Sequence, residues 1–185
     1  MVNAAGYRAG ELGKMFGRDV PCVSLAHQYL ITEPIAELTA RDEKLPLIRD
    51  PDSSYYLRQE KDGLLLGPYE KNCRAHWLSS DDPMQDDFSF QLYNDDLERL
   101  EWYIEDACAR VPILGTAGIT RVVNGPIPYT PDGLPLIGPM PGVPNAFEAC
   151  VFTFGIVQAG GARKLLAEPI IAGAAESKTT VAEGI

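Results

Sequence analysis

The chain has 185 residues, 45% of them hydrophobic, and a formal net charge of −10 at pH 7. This size and composition predict one globular domain, and the acidic charge argues against nucleic acid and anionic membranes as partners. No apolar run of about 18 residues is present, so we expect no membrane-spanning helix. Four scattered cysteines without a CxxC pair, and two histidines, predict buried free thiols and no metal site.

The first part of the chain alternates strand and helix signals. Residues 2–6 predict the end of a strand, residues 9–16 a short helix closed by Gly17, and Val23–Thr32 a strand. In the last of these, the period of two places His27 on one face with apolar neighbours. Because nothing precedes the first strand to pair with it, we expect the chain to be cut from a larger domain.

A β-hairpin is predicted over residues 53–67, SSYYLRQEKDGLLLG, because Asp-Gly is favoured in its tight turn. On its first strand Tyr56 and Arg58 share one face, and Tyr55 lies on the other. A register shift of one residue would exchange the two tyrosines. Arg58 is open to two interpretations, a group that binds a carboxylate or a surface side chain.

The next segments predict a loop, a helix and three strands. Residues 81–87 form an acidic loop, and a helix capped by Asn94 follows, with an apolar stripe that ends before Pro112. Residues 119–124 predict a strand, residues 125–133 an irregular turn, and residues 134–137 and 146–152 two more strands. The stripe comprises Leu97, Leu100, Ile104, Cys108 and Val111.

The C-terminal part contains a glycine-rich run, FGIVQAGGARKLL, at residues 154–166. Gly160 and Gly161 are predicted to open a helix that stops at Pro169, since a proline inside a helix costs about 3 kcal/mol. Backbone amides at such a helix start can face a ligand. From Gly173 onward the sequence has little to bury, and we expect it to be disordered.

Five segments, taken in order, resemble the FAD-dependent amine oxidoreductases of the dimethylglycine and sarcosine dehydrogenase group. The resemblance covers residues 1–172. It implies an α+β fold, a partial FAD-linked reductase fold with a mixed, mainly antiparallel substrate-domain sheet and flanking helices. The segments are NAAG (3–6), HQYLITEP (27–34), YYLRQEKDGLLLGPYE (55–70), NGPIPYTPDGLPLIGP (124–139) and GIVQAGGARKLLAE (155–168).

The resemblance also implies a division of the chain and an activity. Residues 1–20 would end the dinucleotide-binding subdomain, 21–118 form the substrate-binding subdomain, 119–172 contact the flavin, and 173–185 form a disordered tail. The family oxidises an N-methyl group of a small N-methylated amino acid by hydride transfer to FAD. The one-carbon unit leaves as formaldehyde or passes to tetrahydrofolate in another domain, and electrons pass to an electron-transfer flavoprotein or to oxygen.

Several features depart from the family. The chain has no GxGxxG motif, so we expect it to lack the FAD-domain half that binds the pyrophosphate and to be inactive alone. Arg8, Val151, Arg163 and Pro169 stand where relatives usually carry other residues, glycine in the case of Val151. The alternative is a non-catalytic truncated or regulatory relative that acts as a protein-interaction module. The expected location is cytoplasmic in a bacterium and the mitochondrial matrix in a eukaryote.

The resemblance implies catalytic roles for His27 and Tyr56. A neutral imidazole can take the amine proton, and a tyrosine hydroxyl can orient the amine or its carboxylate. Amides at the last helix start would stabilise the charge of a reduced flavin. A buried core histidine and a simple packing turn remain the alternatives. The implied FAD-binding residues are Gly6, Asp132, Gly133, Leu134, Val151, Phe152, Thr153, Phe154, Gly155 and Ile156.

Overall fold

The computed structural model describes residues 1–78 and 81–171, so the predicted disorder from Gly173 onward lies outside the described residues. None of the described helices is long and apolar enough to cross a membrane. The described helices are α1 (Ala9–Lys14), α2 (Ala36–Thr39), α3 (Glu101–Arg110) and α4 (Gly155–Ile171). The strands are β1 (Val2–Asn3), β2 (Val23–Thr32), β3 (Ile48–Asp50), β4 (Tyr55–Glu60), β5 (Gly63–Pro68), β6 (Ala75–His76), β7 (Ile119–Tyr129), β8 (Leu136–Pro139) and β9 (Phe147–Cys150).

Contacts between Cα atoms divide the chain into two compact units. Unit 1 comprises Met1–Leu25, Ala75–Pro83 and Ile127–Ile185, and unit 2 comprises Ala26–Arg74 and Met84–Pro126. The division by function into residues 1–20, 21–118 and 119–172 is a separate matter and stays a prediction.

Unit 1 contains a three-stranded sheet in the order β1-β9-β8. The β1–β9 pairing is parallel and the β8–β9 pairing is antiparallel, with Leu136 opposite Cys150. The first strand thus has its partner later in the chain, because β1 pairs with β9. Ala9, Leu136, Cys150 and Val151 form a small buried core in this unit.

Unit 2 is built on antiparallel strands in the order β3-β4-β5-β2. The predicted hairpin is confirmed, with Glu60 opposite Gly63 and Tyr56 opposite Gly67. Lys61 takes the left-handed conformation in the turn, at a φ of 53°. Along β2 the even-numbered residues are buried and the odd-numbered ones half-buried or exposed, which is the predicted period of two. The predicted mixed, mainly antiparallel fold is confirmed.

One face of the unit 2 sheet packs on α3 and forms the larger core. Leu100, Tyr103 and Ala107 are buried there against Tyr55 and Leu66. Removing apolar surface from water contributes about 1.5–3 kcal/mol for each large side chain, so this face holds the unit together. The predicted stripe is confirmed in part, because Ile104, Cys108 and Val111 pack on this core whereas Leu97 is 43% exposed.

Two predictions about this helix and the strand after it are wrong. Asp96, not Asn94, provides the cap, since its side chain accepts a hydrogen bond from the Arg99 amide and the first turn, Leu97–Leu100, is a 3₁₀ helix. β7 continues to Tyr129 through the predicted irregular turn. Its prolines alternate, so their missing N–H groups lie on one edge of the strand and leave the other edge able to pair.

The last helix also differs from the prediction at both ends. α4 begins at Gly155 rather than at Gly160, and it runs past Pro169 to Ile171. A glycine pair inside a helix costs about 1 kcal/mol per residue, which a helix of this length tolerates. Pro169 lies in the last turn, where its missing N–H and its ring disturb only the helical bond to the Leu165 carbonyl, and the helix continues to Ile171.

Candidate functional site

His27 lies on the half-buried face of β2, with 8% of its side chain exposed. Its Nδ1 atom is 3.0 Å from Oε2 of Glu70, and its ring centroid is 6.1 Å from that of Tyr69 at 68°. The expectation of purely apolar neighbours is therefore wrong. The Nδ1 atom is therefore within hydrogen-bond distance of a carboxylate oxygen, and which ring nitrogen carries the proton depends on the tautomer.

Glu70 is the buried centre of this group, with 2% of its side chain exposed. Besides the His27 ring, its carboxylate accepts from the backbone amide of Gln28 at 3.2 Å and from Gln28 Nε2 at 3.0 Å. Arg99 Nη2 lies 3.6 Å from its Oε1 atom. A buried carboxylate is tolerated only with such partners, because an unpaired charge in the interior is costly.

Tyr56 is half-buried on β4, and a methyl group built at Gly67 would overlap its ring. Its ring centroid is 6.1 Å from that of Tyr69, the same distance as that of His27. The register question has an answer, since Tyr55 is 2% exposed in the core. Burial, with a smaller contribution from the neighbouring Tyr69, raises the pKa of Tyr56, so its hydroxyl stays protonated and can donate a hydrogen bond.

His27, Tyr56 and Tyr69 form a group that we call the Tyr69 face. Two arginines lie near it. Arg49 places its Cζ 5.2 Å from the Tyr69 ring centroid, while Arg58 forms an ion pair with Glu60. Of the two, Arg49 is the guanidinium that borders the Tyr69 face.

Sequence reasoning assigned no role to Tyr69, Glu70 or Arg49, although the first two lie in a segment that carries the family resemblance. One signal was available for Glu70, since it follows the strand Gly63–Pro68, in which every residue is buried. A charged residue at the end of such a strand needs buried partners. No pattern in the sequence indicates that His27 is one of them, because the pair is 43 residues apart.

In unit 1 the predicted FAD-binding residues include the link between β9 and α4. Val151 is fully buried with a φ of 57°, and Thr153 Oγ1 donates to the carbonyl of Pro128 at 3.3 Å. Past this anchor the side chains open to solvent, with Phe154 44% and Ile156 97% exposed. The amides of the first helical turn have no intrahelical acceptor, so this segment presents N–H groups beside exposed apolar side chains.

A second predicted segment is the turn before β8. The Asp132 Oδ1 atom accepts from the Leu134 amide at 3.0 Å and from Thr130 Oγ1 at 2.9 Å. These bonds, the Leu134 amide first, hold the pKa of Asp132 below its usual value. Gly133 has a φ of 74°. Asp132 therefore shapes the turn, while Leu134, 50% exposed, is the side chain it presents.

Gly6 completes the predicted set in unit 1. It has a φ of 58°, in the left-handed region that favours glycine. Among the residues that the structure describes, and apart from the chain neighbours of each glycine, no heavy atom lies within 4 Å of a Cβ built at Gly6 or at Gly133. The backbone at both glycines is thus open to the approach of a ligand.

Known proteins match nearly the whole chain. Residues 1–168 match a family model described as FAD dependent oxidoreductase. The chain is 45% identical over 177 residues to mitochondrial dimethylglycine dehydrogenase of Rattus norvegicus, covering 94% of this chain and 20% of that protein. It is 38% identical over 177 residues to mitochondrial sarcosine dehydrogenase of Homo sapiens, covering 95% and 18%. The chain spans about a fifth of the length of these curated relatives.

A solved structure shares the fold. The chain superposes on L-proline dehydrogenase from P. horikoshii with a TM-score of 0.71 and 24% identity, covering 97% of this chain and 44% of that one. At this identity the match speaks for the fold alone. Together with the sequence matches it confirms the resemblance and the fold class predicted above.

Proposed function

The chain belongs to the FAD dependent oxidoreductase family, and we propose that it forms the substrate-side portion of an enzyme that oxidatively demethylates dimethylglycine or sarcosine. The observation that carries the proposal is the Tyr69 face. His27 and Tyr56, the residues that the family resemblance makes catalytic, both lie 6.1 Å from one tyrosine ring. That face belongs to a segment 45% identical to a dimethylglycine dehydrogenase.

The chemistry requires a proton acceptor near the substrate nitrogen. An N-methylated glycine is an ammonium ion at neutral pH, and its C–H bond gives up hydride only when the nitrogen lone pair is free. With Nδ1 bonded to Glu70, His27 offers the Nε2 lone pair to take the ammonium proton. Bound FAD supplies the hydride acceptor for the reaction.

The other end of the substrate is a carboxylate. We assign its binding to Arg49, whose guanidinium borders the Tyr69 ring, rather than to Arg58, which is occupied by Glu60. Tyr56 keeps its proton because burial raises its pKa, so it donates a hydrogen bond that orients the substrate. A group that binds carboxylate beside one that takes a proton suits a small N-methylated amino acid.

The residues of unit 1 fit a flavin. A flavin has an apolar ring system and a pyrimidine edge that becomes anionic on reduction. Open backbone at Gly6 and Gly133, exposed Phe154 and Ile156 and the N-terminal amides of α4 match these two properties. The residues that would hold the ring are the ten named above, with Asp132 acting on the turn that carries Gly133 and Leu134.

The wider setting is also a proposal. The 185 residues contain no GxGxxG motif, so by themselves they do not turn over substrate and act together with an FAD-domain half that carries the motif. Electrons pass to an electron-transfer flavoprotein, and tetrahydrofolate acts through another domain. Both relatives carry "mitochondrial" in their names, so we place the chain in the mitochondrial matrix if its source is eukaryotic and in the cytoplasm if it is bacterial.

A segment exchange tests the function. Residues 1–171 replace the matching segment of rat dimethylglycine dehydrogenase, to which the chain aligns over 177 residues. The purified chimera is mixed without oxygen with dimethylglycine, sarcosine or glycine, and flavin absorbance near 450 nm is followed. The first two substrates are expected to bleach the flavin, and glycine, which lacks an N-methyl group, is not.

The same experiment separates the alternative function. A chimera that folds and retains FAD, yet is bleached by neither methylated substrate, contradicts the proposal and favours a non-catalytic relative. Bleaching by glycine at the same rate would contradict the proposed substrate class. The parent rat enzyme, carried through the same steps, is the positive control.

A further inference from the structure

Glu70 occupies a position that the proposed chemistry does not yet use. Its carboxylate is 2% exposed, and Oε2 lies 3.0 Å from Nδ1 of His27. The same oxygen accepts the Gln28 amide at 3.2 Å. One carboxylate oxygen of Glu70 therefore contacts both the His27 ring and the backbone of the next residue on β2. These two contacts fix the orientation of the imidazole relative to the strand.

We propose that Glu70 is the positioning residue for His27: it holds the ring in the Nδ1–H tautomer and so presents the Nε2 lone pair to the substrate ammonium. The catalytic role of this tautomer rests on the proposed function, whereas the tautomer itself rests only on the contact between Glu70 and His27. In the other tautomer Nε2 would carry the proton and would have no lone pair to accept the proton of the substrate ammonium.

The carboxylate is itself held in place from the side away from His27. Gln28 Nε2 donates both to Glu70 Oε1 and to the Asp96 carbonyl, each at 3.0 Å. Gln28 Oε1 accepts from the Asp96 amide at 2.8 Å. Arg99 adds a cation 3.6 Å from Oε1. These bonds join Glu70 to the start of the helical segment at Leu97, so the carboxylate cannot turn away from the ring.

Charge supports the same assignment. When His27 takes the ammonium proton, the imidazolium forms within hydrogen-bond distance of a buried carboxylate. The groups that face this carboxylate are His27, Gln28 and Arg99, of which Arg99 carries a fixed positive charge. Glu70 therefore stabilises the protonated ring as well as aligning the neutral one.

The test reads the tautomer directly. The chain has only two histidines, His27 and His76, so two-bond ¹H–¹⁵N correlation spectra of the ¹⁵N-labelled chain, recorded where both rings are neutral, are assigned with a His76→Gln variant. Wild-type His27 is expected as the Nδ1–H form. In Glu70→Leu, which keeps an apolar volume but no acceptor, the ratio of Nδ1–H to Nε2–H is expected to fall roughly tenfold or more.

A matched variant separates positioning from a structural role. Gln28→Leu removes the side-chain bonds to Asp96 and to Glu70 Oε1, but it leaves the Gln28 backbone amide on Glu70 Oε2, the oxygen that faces His27. Stability is therefore expected to fall while the His27 tautomer remains Nδ1–H. If Glu70→Leu does not fold, Glu70→Met, which also lacks an oxygen acceptor, takes its place, and the wild-type spectrum still decides. The proposal is overturned if wild-type His27 is Nε2–H, or if a folded Glu70 variant keeps the wild-type ratio.

A kinetic arm uses the rat enzyme chimera. Glu70→Leu is expected to slow flavin reduction at saturating dimethylglycine at least tenfold while changing the substrate concentration for half-maximal rate by less than about threefold. If the saturating rate and the apparent affinity for dimethylglycine fall by the same factor, the positioning role is overturned. An inactive wild-type chimera with His27 in the Nδ1–H form would instead refute the proposed function and leave the Glu70 assignment standing.

Discussion

Val151 adopts a backbone conformation that favours glycine. Its φ of 57° lies in the left-handed region, although it is β-branched and fully buried. This conformation costs an L-residue roughly 1–2 kcal/mol. The packing of Val151 with Ala9, Leu136 and Cys150 offsets the cost.

Two substitutions at this position separate backbone strain from packing. The free energy of unfolding of Val151→Gly is expected to equal that of Val151→Ala or to exceed it by up to about 1 kcal/mol. Glycine removes more atoms, but it relieves the left-handed strain. At Ile137, a buried strand residue in the same unit, the order of the matched pair is expected to reverse. Urea unfolding of the four variants gives the stability of the Gly variant relative to the Ala variant at each position. If alanine is the more stable at both positions, strain at Val151 is ruled out.

Cys150 is predicted to be the least reactive thiol. It is 1% exposed, and burial, then the charge of Glu148, raises its pKa to about 12. The thiol thus stays protonated in the folded chain well above the value near 8.5 of an unfolded one. The raised pKa of Cys150 therefore makes folding pH-dependent. The stability that comes from keeping this thiol protonated is fully present below pH 8.5 and is lost as the pH rises toward 12.

Alkylation with iodoacetamide at pH 8.5, read by peptide mass spectrometry, tests this. Cys73, partly exposed, is expected to be labelled at least tenfold faster than Cys150, and the difference should vanish in urea. Equal rates in the folded chain would mean that Cys150 is accessible. The other two free thiols, Cys22 and Cys108, should lie between these limits.

At the scale of elements, the hairpin of β4 and β5 fixes Tyr56. Gly67 lies directly opposite Tyr56 in the register, and a methyl group there would overlap the Tyr56 ring. The glycine therefore makes room for the tyrosine to lie across β5. This close approach is what turns the ring of Tyr56 toward Tyr69.

Gly67→Ala is expected to lower the free energy of unfolding by about 1–3 kcal/mol through overpacking. In a Tyr56→Ala background, the loss in free energy of unfolding caused by Gly67→Ala should be smaller by about 1 kcal/mol or more, because the overlapping ring is gone. Gly10→Ala is the control, because a Cβ at Gly10 in α1 meets no atom within 4 Å and should stabilise the helix by up to about 1 kcal/mol. Additive effects at positions 56 and 67 would contradict the packing argument.

Local chemistry was sufficient to predict some elements and insufficient for others. Period-two alternation predicted β2 with its observed bounds, and Asp-Gly chemistry predicted the hairpin. Gly160 and Pro169 were misread, because a 17-residue helix tolerates both within its own length. The cap at Asp96 was missed because Asn94 and Asp96 have nearly equal capping propensity, and the choice depends on the bond between Gln28 and the Asp96 backbone.

The candidate site was predictable only in part for the same reason. The family resemblance pointed to His27 and Tyr56, but their common neighbour Tyr69 and the hydrogen-bond partner of His27, Glu70, both follow β5, which is distant in sequence from β2. Non-local contacts of this kind follow from strand order and register. Neither can be read from a single sequence with no partner strand specified.

At the scale of the whole chain, the acidic polypeptide of 185 residues leaves large apolar side chains of unit 1 exposed. Ile156, Val157 and Ile171 are 97%, 80% and 84% exposed along α4. Exposure on this scale marks a surface that normally contacts a ligand or another chain. It agrees with the proposal that this helix contacts FAD and an FAD-domain half that carries the GxGxxG motif.

The isolated polypeptide is therefore expected not to retain FAD. After incubation with excess FAD and gel filtration, its visible spectrum should lack the flavin band near 450 nm, while a hydrophobic dye such as ANS should bind. Replacing Ile156 and Val157 with serine is expected to reduce dye binding. Stoichiometric FAD with bleaching by dimethylglycine would contradict the proposed requirement for an FAD-domain half that carries the GxGxxG motif.

The most direct test of the central claim compares the two histidines within the rat enzyme chimera. Stopped-flow flavin reduction by dimethylglycine is measured for His27→Gln and for His76→Gln, the second being the matched control outside the Tyr69 face. If His27 takes the amine proton, its variant should reduce flavin about 10²–10⁴ times more slowly than the wild-type chimera, and the His76 variant should match wild type. Equal rates for the two variants, with FAD retained in both, would contradict the account.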